Sequence, residues 1–221
     1  MKTHLLILFF VWSCSSLFAQ ICIEGYRQVD IHPRWLEGRW NARWISVPDE
    51  PVNTYGVYHF RKTVELDTLP GRFIVHVTAD NRYKLYANGH FVSLGPARGD
   101  VYNWYYDTVD LSPYLRQGKN TLAAVVWNYA DQKPAAQISF GQTGFLLQGN
   151  TDLEAIVNTD DSWLCMKDEA YSVWNRPVFG YYVAGPGEQL LAENYPWGWE
   201  QPDYDDKHWQ KASSGMEGAA K

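Results

Sequence analysis

Three polar residues, Asp80-Asn81-Arg82, interrupt an otherwise apolar, strand-forming stretch, FIVHVTADNRYKLYANGHFVSLG, from Phe73 to Gly95. A carboxylate beside a carboxamide offers hard oxygen atoms of the kind that grip vicinal sugar hydroxyls or a Ca2+ ion. The same two residue types also end strands, because their side chains bond the nearby backbone in turns. Both readings stand on the residues, and the turn comes first: the pair ends one strand and swings the chain toward Asn88-Gly89. Further along, Trp104-Tyr105-Tyr106 forms an aromatic cluster between two strand-like runs. Flat aromatic faces stack on the C–H faces of sugar rings, although aromatic side chains also fill the core of any sandwich. Asp80, Asn81, Trp104 and Tyr105 are therefore the candidate sugar-binding residues, and Ca2+ is a candidate companion.

Other chemistries find less support in the spacing. Asn158–Trp163 (NTDDSW) and Pro202–Trp209 (PDYDDKHW) are rich in acids, but neither has the D-x-D-x-D-G pattern of a calcium loop. Arg98-Gly99-Asp100 reads as a turn with Asp100 paired locally. No CxxC or HExxH metal-ligand spacing occurs, and no G-x-S-x-G elbow or phosphate-cradling glycine loop. Glycoside cleavage needs two carboxylates facing each other across the sugar, about 5–10 Å apart. The sequence offers many acids but no such pair, so no catalytic residue is assigned.

The elements that must carry these residues read as strands. Val57–Leu66 alternates, with Tyr58, Phe60, Lys62, Val64 and Leu66 as the core face and His59 and Arg61 opposite. Phe73–Ala79 suits a central strand. Tyr83–Ala87 and His90–Leu94 flank Asn88-Gly89, the strongest short hairpin signal, because both central residues of a type I′ turn need positive φ. Thr121–Trp127, Gln137–Phe140, Phe145–Gln148 and Leu153–Asn158 continue the strand pattern, and Ser112–Leu115 reads as one helical turn opened by Pro113. No sustained 3.6-residue apolar period appears beyond the first residues. The fold expected from the pattern is an all-β sandwich of about eight or more strands with an extended C-terminal segment. That segment begins near Asn175, where Pro, Gly, Trp and Tyr crowd together, and no strand is expected to close it.

Of 221 residues, 46% are hydrophobic, which suits a buried core, and the formal net charge of −6 argues against a nucleic-acid partner. The first residues, MKTHLLILFFVWSCSSLFAQ, resemble an export signal: a basic start, an apolar core from Leu5 to Trp12, and Leu17-Phe18-Ala19 before Gln20. The apolar run is shorter than the roughly 20 residues that span a bilayer. Lipidation at Cys14 is the competing reading. Export would leave Cys22 and Cys165 where a disulfide persists, with two free thiols as the alternative.

Several stretches together, RWNARWISVPD, YGVYHFRKTVEL, FIVHVTADNRYKLYANGHFVSLGPARGD, DLSPYLRQGKNTLAAVVWN and TGFLLQG, resemble the N-terminal β-sandwich region of bacterial α-L-rhamnosidases, especially the exported Bacteroidetes type. The likeness continues through VNTDDSWLC and GWEQPDYDDKHWQKA. It implies an all-β, galactose-binding-like jelly-roll sandwich preceding a catalytic (α/α)6 barrel whose acidic residues have no counterpart here. On this basis the expected organisation is a signal at 1–19, an arm at 20–39, the sandwich at 40–174, and at 175–221 an extended tail with the start of a truncated further β-module. The expected role is a periplasmic or extracellular, non-catalytic accessory module of a larger hydrolase, serving as scaffold or as sugar-binding surface, with a rhamnose-containing glycan as the candidate partner. The alternative is a free-standing lectin-like binder.

Overall fold

Alternation of apolar and polar residues builds the molecule as two facing antiparallel sheets. A computed structural model describes residues 31–219 apart from 33, 38, 52, 175–181 and 183. The expected signal at 1–19, most of the arm at 20–39, and Cys22 lie outside the described residues. A short helix, α1 (Arg34–Glu37), precedes thirteen strands among the described residues: β1 (Arg39–Ser46), β2 (Gly56–Leu66), β3 (Ile74–Asp80), β4 (Arg82–Ala87), β5 (His90–Gly95), β6 (Asp107–Asp110), β7 (Gly118–Asn128), β8 (Gly144–Gly149), β9 (Leu164–Lys167), β10 (Tyr171–Val173), β11 (Glu188–Leu190), β12 (Gln210–Lys211) and β13 (Ser213–Ala219). One sheet has the order β13-β1-β8-β3-β6 and the other β12-β9-β2-β7-β4-β5, while β10 and β11 pair separately. The fold is an all-β sandwich of the jelly-roll type. None of the described helices is long and apolar enough to cross a membrane.

The spine of the second sheet is the β2–β7 ladder, in register from Gly56↔Asn128 to Leu66↔Gly118. Its inner face meets the first sheet through Tyr58, Phe60, Tyr83, Leu85 and Val126 packed on Ile45, Val75, Val77, Phe145 and Leu147. Phe60 and Phe145 stack across the interface with ring centroids 5.6 Å apart. The hairpin expected at Asn88-Gly89 joins β4 to β5, with both residues at positive φ. Asn88 also pins it inward: Nδ2 donates to Tyr114 O and Asn120 Oδ1, and Oδ1 accepts from Thr121 N.

Four expectations fail, each because of identifiable partners. Gln137–Phe140 is not a strand; the Phe140 N–H donates to the Asp80 carboxylate at 2.7 Å instead of to a ladder. Leu153–Asn158 contains a 3-10 turn at Glu154–Val157, where buried Glu154 takes N–H groups from Ile74 and Thr151. His59 and Arg61, expected outward, are buried at 0% and 1% exposure. The cause is the tail, whose Trp199 and Trp209 pack on that outer face with Val57, Ala123 and Val125. The tail also differs from expectation: β12 pairs with β9 and β13 with β1, so it adds a strand to each sheet.

Each outer face is thus covered at one end. On the second sheet, Arg61 Nε donates to Asp206 at 2.9 Å and Nη1 to the carbonyl groups of Trp199 and Gln201. On the first sheet, α1 lays Trp35 beside Trp40, Ala42 and Leu146, and Trp35 Nε1 donates to Asn150 O at 2.8 Å. The other end of each outer face stays open.

Candidate functional site

The open end of the first sheet is a cleft of about 500 Å3. Alternation along β1 points Trp40 and Trp44 to the same outer side, and β3 contributes Thr78 and Asp80. Loop residues Trp104 and Phe140 complete the wall. Their rings stack with centroids 4.3 Å apart, and Trp44 meets Trp104 edge to face at 6.5 Å. Trp104 is held by its indole, whose Nε1 donates to Thr78 Oγ1 at 3.0 Å, while that hydroxyl donates to Tyr105 O at 2.8 Å. Gly144 makes room for Trp44: a Cβ there would lie 2.8 Å from its ring. The result is an aromatic trough with one polar corner.

Asp80 forms that corner. Its Oδ2 accepts from Phe140 N at 2.7 Å and from Ser139 Oγ at 3.0 Å, and its Oδ1 accepts from Asn81 Nδ2. Burial pushes the Asp80 carboxyl above the usual carboxylate range, and these hydrogen bonds pull it back in part. Asn81 turns the other way: its Oδ1 accepts from Tyr129 N at 2.8 Å, and its N–H donates to Trp127 O at 2.9 Å. The pair stands where β3 gives way to β4, and its side chains brace the 129–142 loop there instead of bonding the backbone of their own turn.

The four candidates therefore divide. Asp80 and Trp104 meet in the aromatic cleft, whereas Asn81 and Tyr105, with the other side of Trp104, line a small cavity behind it. Tyr105 is half-exposed and joins the cleft only through its carbonyl. Trp40, Trp44 and Phe140 were not singled out by sequence reasoning, and Tyr106 was read as part of the aromatic cluster but not as one of the four candidates. Trp40 and Trp44 carried a signal in RWNARW, where spacing by four places both on one face of a strand. Phe140 carried none, since its place depends on the bond to Asp80. As a cation site, Asp80 and Asn81 are poorly prepared, because N–H and O–H donors already engage their oxygens. Among the described residues no three His, Cys, Asp or Glu side chains cluster as metal ligands.

A second polar group looks catalytic in type. His59 Nε2 and Asp168 Oδ2 lie 2.8 Å apart, but both side chains are fully buried beneath Trp199 and reach no substrate. Cys165, a free thiol, is also buried, and desolvation pushes it up to about 12.

No protein-family model matches the chain. An α-L-rhamnosidase of Streptomyces avermitilis is 27% identical over 176 residues, covering 66% of this chain and 16% of the relative. The crystal structure of a GH78 family rhamnosidase of Bacillus sp. GL1 superposes with a TM-score of 0.67 at 27% identity, over 80% of this chain and 18% of that one. The chain is homologous to the N-terminal region of GH78 α-L-rhamnosidases. The α-L-rhamnosidase of Dictyoglumus thermophilum shares the fold, with a TM-score of 0.61 at 20% identity over 82% of this chain and 22% of that one. The chain thus spans less than a quarter of the length of each of these rhamnosidases.

Proposed function

We propose that this chain is a non-catalytic, carbohydrate-binding-like module of an exported α-L-rhamnosidase-like glycoside hydrolase, and that it holds rhamnose-containing glycans in the aromatic cleft. The observation that carries the reading is the cleft itself, built from Trp44, Trp104 and Phe140 around the Asp80 corner on a chain homologous to these enzymes. Its volume lies within the range of small-ligand sites. A 6-deoxy sugar would set its apolar face on the aromatic wall that Trp44 and the stacked Trp104–Phe140 pair form and turn its hydroxyls toward Thr143 and Gln142 at the rim. Within this reading Asp80 positions the 139–142 loop and Asn81 holds Tyr129 at the start of the same segment.

Titration calorimetry of the purified chain with L-rhamnose, with and without Ca2+, tests the proposal. Binding at millimolar sugar that weakens about tenfold in Trp104→Ala is expected, the loss of one ring stack. No heat at those concentrations would sink the binding role. Release of nitrophenol from an aryl rhamnoside by the chain alone would overturn the non-catalytic assignment.

A further inference from the structure

A sheet edge left open is a template for another strand, and proteins ordinarily guard it with charge, proline or a bulge. Three of the four edges of the two main sheets carry charge: β6 has Asp107 and Asp110, β12 has Lys211 and β13 has Glu217. β5, at the free edge of the second sheet, reads HFVSLG and has none. It also exposes two large apolar side chains, Phe91 at 50% and Leu94 at 56%. Phe91 is held in place by Tyr86, whose ring meets it edge to face at 5.9 Å.

The β4–β5 register explains why both side chains point the same way. The pairs are Tyr86↔Phe91, Leu85↔Ser93 and Lys84↔Leu94, with a bulge between the first two. Residues paired across a ladder share a face. Leu85 belongs to the core and Tyr86 to the outer side, so Val92 and Ser93 both turn inward while Phe91 and Leu94 both turn outward. A strand of strict period-two alternation cannot match this out-in-in-out order. A second copy of β5 carries the same bulge and can. Antiparallel and related by a two-fold axis, it sets His90 opposite Gly95, Phe91 opposite Leu94 and Val92 opposite Ser93. Each pair then lies on one face, and no charge opposes a like charge.

We propose that β5 is a self-association edge, at which a second copy of this chain joins the two six-stranded sheets into one. None of its residues lines the aromatic cleft, so pairing and sugar binding are separable. Sedimentation velocity of the full chain from about 1 to about 200 µM should show reversible exchange between monomer and dimer, weak as small interfaces are. Phe91→Lys and Leu94→Lys, both at exposed positions, should each weaken the dimer about tenfold without lowering the melting temperature of the monomer. The register has its own test in a Cys14→Ser, Cys22→Ser background, Cys165 being buried. Phe91→Cys and Leu94→Cys chains, mixed and treated with oxidised glutathione, should form a disulfide-linked heterodimer, since these positions face each other across the axis. Each variant alone should stay unlinked, because its two copies of the substituted position lie about 10 Å apart along the ladder, beyond the ~7 Å between Cα atoms that a disulfide spans. A chain that sediments as a monomer throughout, a dimer unaffected by both lysine substitutions, or linkage of either single variant as readily as of the mixture overturns the inference.

Discussion

Asp80 satisfies three donors from two loop residues and its own neighbour, so its removal would leave the N–H of Phe140 without a partner. Asp80→Ala should destabilise the chain by about 2–3 kcal/mol in urea, the cost of orphaned buried groups. It should also loosen Phe140 from Trp104, quenching or shifting the emission of that tryptophan. His59 gives a pH prediction. Burial holds its pKa below the usual histidine value, and Asp168 offsets this only in part. The folded state therefore binds its proton less readily than the unfolded chain. That stability is complete above the unfolded value of about 6.5 and is lost as pH falls below it. The urea midpoint should drop between pH 7 and 5, and His59→Gln should flatten that slope. The pairing of His59 with Asp168, 109 residues away, has no signature in the sequence, because it depends on β2 lying beside β9.

Among the elements, β2 shows what alternation encodes and what it omits. The inward set Tyr58, Phe60, Val64 and Leu66 was legible from period two, and so was the β4–β5 hairpin from Asn-Gly. The burial of His59 and Arg61 was not, since it comes from a segment about 140 residues downstream laid over the sheet. Polar residues on an outer face read as solvated until a tryptophan-rich segment covers them. Trp199→Ala should cost about 3–5 kcal/mol, as for other large buried aromatics, and free Arg61 to solvent. Gly89→Val should cost about 1–2 kcal/mol, because φ is +81° there and a Cβ would meet the Gln201 side chain. Thermal melts of the two variants distinguish a lost cover from a strained turn: only the first should raise dye binding to the native state.

For the molecule as a whole, the class of fold and the central strands could be read from the chain, while the closure of its sheets could not. Residues 175–221 were expected to pack as an extended segment along a neighbouring surface without a closing strand; Trp199 and Trp209 do pack so, yet β12 and β13 also supply an edge strand to each sheet. The strands are short, and Ser213-Ser214-Gly215 carries little apolar patterning, so nothing local announces them. Likewise Trp104 could be picked out as a candidate, but the cleft needed β1, β3 and two loops brought together by topology. A chain ending before residue 195 should lose the cover of β2 and the outer neighbours of β1 and β9. It should aggregate or melt without a cooperative transition in differential scanning calorimetry.

Because the partners of β1 and of β9 lie downstream of both strands, a polypeptide emerging from the ribosome holds two unsatisfied strand edges until Ala219 has cleared the exit tunnel. Throughout synthesis those edges are open to any passing strand. Holdase chaperones that bind nascent chains should therefore stay on this protein until β12 and β13 have emerged and paired.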